Sequence, residues 1–582
     1  MTQFRKTQDN IFEICIVVLS VIGLFVCTAI LFPQVRQMII ASMHRELDMS
    51  LGIYKLLHSF AMGGVCFILF LDYCVLSNSG RKLTNIVKQE MKDCLSEIDF
   101  RNLAKPVFIL FGVYLLGAST MIRSNFLFRD DIWRSVGGGR AWLDFSRYVT
   151  EFLSIFIHAD TNLTDISPWP QLLAIFVVSI SSVLLVYILC DRKINTAGLL
   201  ASIPLGLSPY FINCLTFKFD APYMALSILV SIVPFLFVSR KKAFVFCSII
   251  SLLIMCMTYQ AASGIYMLIV IILGFQGWNS RSKPDKNIIS FFGMAVFAFC
   301  MAMLMFRLFL MKPTTYDYGY TSTAMHQITH MIPGILNNIK DYAMTINNDF
   351  GFTWKMGIVF VCMLFIIKSV FSSVRKKSLA FIFSVLMIGI SFVLSFGVYI
   401  LLAKPLYELR CLYGFGVFLS ILCIYIVYDY KKIAVIGALA LNYCFFVFAF
   451  SYGNALADQE RYAEFRIGLL WHDLSLLYPA QNDDAMILIQ LENSIEFAPS
   501  IKNIAKHYPI IERMVPKRLG DNWDMYFLTH YNHSQNTKMN NLSDFFSSDE
   551  NDFRTLNLPV ILDSYYHTIK GDENRILVIL KH

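Results

Sequence analysis

Apolar residues in this chain gather into long unbroken stretches between residues 11 and 452 instead of alternating with polar ones. About 20 residues of helix cross a hydrocarbon core ~30 Å thick, and the stretches have that length. Roughly thirteen spans are predicted, at 11–32, 51–76, 106–122, 170–190, 196–213, 221–238, 243–257, 262–278, 288–310, 356–370, 378–403, 411–427 and 433–452. A closed barrel also satisfies every backbone group in lipid, but its strands alternate at every second residue, so continuous runs predict helices. The first run is longer than the apolar part of a signal peptide and has no small-x-small site ahead of Pro33, so it is expected to stay as an anchor.

Basic clusters punctuate alternate connections: Arg5 with Lys6, Arg81 and Lys82 with Lys88 and Lys92, Arg192 with Lys193, Arg240 with Lys241 and Lys242, Arg281 with Lys283 and Lys286, Arg375 with Lys376 and Lys377, and Lys431 with Lys432. The positive-inside rule places these loops in the cytoplasm, which puts the amino terminus inside and the carboxyl terminus outside. Residues 81–98 have helical spacing and mixed charge, the pattern of an amphipathic helix on the cytoplasmic face. Three divisions follow: a two-span anchor with that segment (1–105), a transmembrane bundle (106–452) with long outward loops at 123–169 and 311–355, and an outward carboxyl-terminal domain (453–582). In the last, β-like runs at 485–491 and 575–580 and a helical stretch at 500–515 predict a small α/β domain.

Composition agrees with a membrane class. Of 582 residues, 56% are hydrophobic and 15% charged, against ~45–50% and ~25% for a soluble domain. The net charge of +8 belongs to the basic loops, and no nucleic-acid motif accompanies it. Fourteen cysteines lie almost entirely within apolar runs, without a C-x-x-C pair, which argues against a disulfide framework or a zinc site. The histidines form no metal-ligand set, so neither a metal nor another cofactor is expected.

Candidate chemistry concentrates in the first long loop. Its basic residues, among them Arg129 and Arg134, are all arginine, whose planar fork pairs two phosphate oxygens at once. Between them stand two adjacent carboxylates, Asp130 and Asp131, either of which can act as general base on a hydroxyl while arginines steady a departing phosphate. The competing reading is a set of surface ion pairs at a helix end. Further along, His158, Asp160 and Asp165 are candidate acceptor ligands. A short outward turn at 208–222 carries Asn213, Lys218 and Asp220, too polar for anchoring alone, although Lys218 and Asp220 can pair locally. Tyr259 and Gln260 occupy the next outward turn, where Gln260 can bind a sugar or a neighbouring helix. Arg410, in the short loop at 404–410, is a candidate phosphate ligand or an interface anchor. Arg307, near the outer end of the ninth span, is either a buried charge or a snorkelling one.

The segment from Phe128 to Arg134, the later run from Asp165 to Gln171, the 208–222 turn with Phe219 and Asp220, and the Tyr259–Gln260 pair together resemble the bacterial and phage-encoded O-antigen glucosyltransferases of the Gtr serotype-conversion group. The likeness covers roughly residues 106–452; the two spans at 11–32 and 51–76 stand ahead of that region and put more spans before the acidic loop than is usual in the class. It implies an α-helical, polytopic GT-C-like fold in a bacterial inner membrane. It implies an inverting transfer of glucose from undecaprenyl-phosphate-glucose, flipped to the periplasmic side, onto a hydroxyl of the O-antigen polysaccharide. The base then maps onto Asp130 or Asp131, with Asp130 placed first, and a donor synthase and a flippase are implied partners. Rival readings are a flippase or transporter of a lipid-linked saccharide, an O-antigen polymerase or ligase, a phosphoethanolamine or acyl transferase, and a membrane scaffold. Transporters place ionisable residues at mid-membrane, whereas here they cluster at helix ends.

Overall fold

The computed structural model describes residues 77–280, 286–311, 324–428, 432–477, 487–520, 537–539, 552–572 and 574–581. The spans expected at 11–32 and 51–76 lie outside these residues.

The amphipathic segment folds as α1 (Asn78–Ser96), opened by Ser77, whose hydroxyl accepts the Gly80 amide at 2.8 Å. Val87 and Cys94 are buried, and Glu90 accepts the Ala243 amide at 2.9 Å, so one face of α1 lies against the bundle. Then α2 (Phe100–Ser124) starts on an Asp99 cap and ends where Asn125 turns to φ 49°. The first long loop carries two short helices, α3 (Asp130–Gly137) and α4 (Tyr148–His158), before α5 (Trp169–Leu189).

The expected span at 196–213 is not one helix. It divides into α6 (Thr196–Ala201), α7 (Pro204–Leu207) and α8 (Pro209–Thr216), with a 55° bend. Pro204 and Pro209 have no amide hydrogen to continue the ladder, so each begins a new helix. A proline interrupts hydrogen bonding without interrupting apolarity, which is why the run reads as continuous.

Next come α9 (Ala221–Ile232), α10 (Lys241–Thr258), α11 (Ser263–Asn279), α12 (Lys286–Met305), α13 (Met331–Asp349), α14 (Phe352–Phe371), α15 (Lys377–Leu394) and α16 (Gly414–Val427). The span expected at 378–403 stops at Leu394, because Gly397 takes φ 64° and a tighter turn, Gly397–Leu401, follows. Eleven of the expected spans fall among the described residues. Eight correspond to helices long and apolar enough to cross a membrane, one is the bent pair, and two, Ala221–Phe237 and Gly414–Val427, are apolar but shorter.

The last expected span ends at residue 452, yet α17 (Lys432–Leu477) runs unbroken for 46 residues. At ~1.5 Å per residue it is about 69 Å long, more than twice a ~30 Å hydrocarbon core. No proline interrupts it, and Ala463, Ile467, Leu470 and Leu474 continue a helical spacing into a second hydrophobic core. Polar neighbours begin near Asp458, so the composition marks an exit from lipid and not a helix end.

That second core is shared with a five-stranded sheet of β1 (Ile487–Glu492), β2 (Thr537–Met539), β3 (Val560–Asp563), β4 (His567–Gly571) and β5 (Arg575–Leu580). The order is β2-β1-β5-β4-β3, with β1 parallel to β2 and β5, and β4 antiparallel to β3 and β5. Two helices inserted after β1, α18 (Pro499–His507) and α19 (Ile511–Met514), turn toward the bundle, where Ile501, Ile510, Ile511 and Met514 join the core of the spans. The α/β character expected for this segment is present.

The two ends of the bundle differ chemically. Glu97, just after α1, pairs with Arg192 and lies 4.0 Å from Arg240, gathering two of the basic clusters. Arg375 donates to the Trp278 carbonyl at 3.3 Å. The long loop that opens α5 at Trp169 lies at the opposite end from Arg192, which follows that helix.

Candidate active site

Asp130 and Asp131 occupy the first turn of α3, where the helix dipole favours negative charge. Ahead of them Arg129 adopts φ 43°, a backbone uncommon outside glycine and of a kind that clusters at functional sites. Gly138, at φ 66°, ends the helix.

The two carboxylates part company at once. Asp131 is 0% exposed and accepts backbone amides from Lys218 at 2.9 Å and from Phe128 and Phe219 at 3.4 Å. It staples the start of α3 to the turn between α8 and α9. Burial pushes its carboxyl up to about 7, against the pull of Arg134 and Lys218. Asp130 keeps 20% of its side chain exposed and accepts Nη1 of Arg410 at 3.0 Å. Burial raises its carboxyl too, but the guanidiniums of Arg410, Arg134 and Arg129 outweigh that and hold it below the usual carboxylate range.

Arg410 stands on the short turn Leu409–Cys411, with its guanidinium 4.6 Å over the Phe217 ring. Beside it, Arg129 pairs with Glu408 at 2.9 Å, both side chains partly exposed. Two ion pairs thus join the head of α3 to residues 408–410. Asp130, Arg129, Glu408 and Arg410 all keep part of their side chains exposed, whereas Asp131 does not.

Behind this row lies a buried polar layer. Asp220 is held by Arg134, by the Trp142 indole at 2.6 Å and by Arg147 at 4.0 Å. Lys218 does not pair locally with Asp220. Its ammonium binds the Asn125 carbonyl at 3.0 Å, the Asn125 side chain at 2.7 Å and Asp165 at 3.0 Å, pinning the end of α2 to the far side of the loop. Asn213, Lys218 and Asp220 are all buried. Tyr259 is also buried, under the Arg147 guanidinium at 4.5 Å. Gln260 donates to the Phe145 carbonyl at 3.1 Å, a protein contact of the kind weighed against sugar binding.

Of the three candidate acceptor ligands, His158 stacks on Phe219 at 5.5 Å, and exposed Asp160 caps the turn at Thr161 and Asn162. Asp165 is partly exposed and bound to Lys218 and the Ser167 amide. Residues that sequence reasoning did not single out for the site are Glu408, Trp142, Arg147 and the Arg140–Glu151 pair at 3.0 Å. Glu408 stands two positions before Arg410, the one local signal that could have found it. An apolar cavity of about 310 Å³ opens between α14, α17 and α18, lined by Trp354, Tyr443 and Tyr508 among others; none of the candidate residues lines it.

Comparison with known proteins bears on what this arrangement does. The family described as glucosyl transferase GtrII matches residues 119–421, from the end of α2 past Arg410. A Salmonella phage P22 protein, described as an uncharacterized 55.3 kDa protein in the gtrB 5' region, is 24% identical over 430 residues, covering 71% of this chain and 87% of that protein. No solved structure is a significant match. With half of its length matched, including the whole acidic loop and the Glu408–Arg410 segment, the chain belongs to the GtrII glucosyl transferase family of membrane glycosyltransferases.

Proposed function

We propose that this glucosyltransferase takes glucose from undecaprenyl-phosphate-glucose and passes it, with inversion, to a sugar hydroxyl of lipopolysaccharide O-antigen on the periplasmic face of the inner membrane. The observation that carries this reading is the pair of a partly exposed Asp130 and Arg410 at 3.0 Å, flanked by Arg129 and Glu408. Asp130 removes the proton of the acceptor hydroxyl as its oxygen attacks the anomeric carbon from the side opposite the phosphate. The bond from that carbon to the phosphate oxygen breaks, and the anionic lipid phosphate leaves on Arg410 and Arg129. One base and no covalent intermediate give inversion. Holding donor and acceptor in line supplies much of the rest.

The periplasmic assignment rests on the basic clusters at the other end of the bundle. Nucleotide sugars are absent from that compartment, so an activated glucose has to arrive on a lipid. The ion pairs stand at span ends and not at mid-membrane, which favours a transferase over a transporter.

Purified protein supplied with radiolabelled undecaprenyl-phosphate-glucose and O-antigen is the test. The expected product is labelled polysaccharide whose new linkage has the anomeric configuration opposite to the donor's. Transfer from a nucleotide sugar with no lipid present, or retention of configuration, contradicts the proposal.

A further inference from the structure

Arg513 lies in α19, between Ile511 and Met514, both wholly buried in the core of the spans. The hydroxyl of Tyr452, on α17, donates to the Met514 carbonyl at 3.3 Å and fixes this stretch to the bundle. From that anchorage the Arg513 guanidinium reaches two other elements. Nη1 donates to both oxygens of Asp349, at the end of α13, at 2.6 and 2.7 Å, and Nη2 donates to the Tyr407 carbonyl at 2.6 Å. The Asp349 side chain is 1% exposed and also accepts the Tyr210 hydroxyl of α8 at 2.8 Å. A planar fork serves a carboxylate and a carbonyl together, which a lysine ammonium cannot reproduce.

Tyr407 immediately precedes Glu408. The connection from Leu402 to Glu408 has no helix or regular strand of its own, so its course depends on such outside contacts. The other half of the reacting pair is gripped from the same stretch of chain. Arg518 is buried on Glu460, with its guanidinium 3.7 Å over the Phe126 ring, four positions ahead of Asp130.

We propose that Arg513 is a positioning residue for glucosyl transfer: by tying the Tyr407 carbonyl to buried Asp349, it sets where Arg410 stands against Asp130 and against the donor phosphate. The carboxyl-terminal segment thereby becomes part of the donor site without touching the donor. The inference rests on the reading of Arg410 as a phosphate ligand. Misplacing a reacting group by 1 Å costs up to about 100-fold in rate, so a loosened loop has a measurable effect.

The test is a steady-state analysis of full-length enzyme, varying donor and acceptor separately, for Arg513→Gln, Arg513→Lys, isosteric Asp349→Asn, the Arg513→Gln/Asp349→Asn double variant, and Arg410→Gln as reference. Arg513→Gln and Asp349→Asn are each expected to raise the donor KM about tenfold and leave the acceptor KM unchanged. The double variant is expected to be no worse than either single one, and Arg513→Lys to recover only part of the loss. A fall in maximal rate that follows the folded fraction, with both KM values unchanged, would make Arg513 a structural brace and overturn the proposal. If Arg410→Gln raises the donor KM while Arg513→Gln does not, the positioning role alone falls; if Arg410→Gln leaves the donor KM at the wild-type value, the phosphate reading falls and the proposal with it.

Discussion

Asp130 and Asp131 are separated by one peptide bond and face opposite environments. Asp131, wholly buried, accepts the amides of Phe128, Lys218 and Phe219 and serves as a staple. Its carboxyl, near ~4 in an unfolded chain, lies at about 7 when folded. A group raised in this way contributes stability that is complete below about pH 4 and is lost as the pH climbs to about 7. The melting temperature of the wild type relative to Asp131→Asn should therefore fall between pH 5 and pH 8, on top of a constant offset from the misplaced amide of about 1–3 kcal/mol. Parallel profiles for the two proteins would contradict the assignment. Asp130 has the reverse linkage: its lowered carboxyl contributes stability above about pH 4, lost only at lower pH, so it does not disturb that window. Sequence reasoning found both acids because adjacent carboxylates among arginines stand out. It placed Asp130 first by resemblance but could not derive their different surroundings, because what separates them is burial against a turn 87 residues away.

At the scale of elements, apolarity located the spans and missed what breaks or prolongs them. Pro204 and Pro209 cut the fifth run without making it polar, and that cut buries α8 so that the Asn213–Asp220 stretch meets the acidic loop. Past Tyr452 the helix persists on a spacing carried by Ala463, Ile467, Leu470 and Leu474, hidden among charged neighbours. Partners of the site were illegible for a different reason: Arg410 and Asp130 are 280 residues apart, and no local pattern records such a contact. The join between α2 and α17 carries its own prediction. A Cβ on Gly453 would lie 2.4 Å from the Met121 amide nitrogen, so the two backbones touch there. Gly453→Leu should destabilise the detergent-solubilised protein by about 1–3 kcal/mol, read as a lowered melting temperature. Gly468→Leu, with nothing within 4 Å of its Cβ, is the control on the same helix. Equal melting temperatures for the two variants would argue against the close approach.

Over the whole molecule, a bundle with basic clusters at one end holds, at the other, an acid and arginines drawn from segments far apart in the chain. The carboxyl-terminal sheet and α17 close over that end, with Ile132 of α3 buried in their core. Sidedness is testable directly. An impermeant thiol reagent should label Asp160→Cys in intact cells opened only at the outer membrane, and Lys241→Cys only after the inner membrane is breached. The reverse pattern would turn the bundle over. The central claim, that Asp130 takes the acceptor proton, is tested most directly by the turnover of Asp130→Asn and Asp131→Asn at saturating donor and acceptor, per folded molecule. Asp130→Asn is expected to lose about 100- to 10,000-fold in kcat, while Asp131→Asn loses folded protein and stays within about tenfold of wild-type turnover. Undiminished transfer by Asp130→Asn would contradict the account.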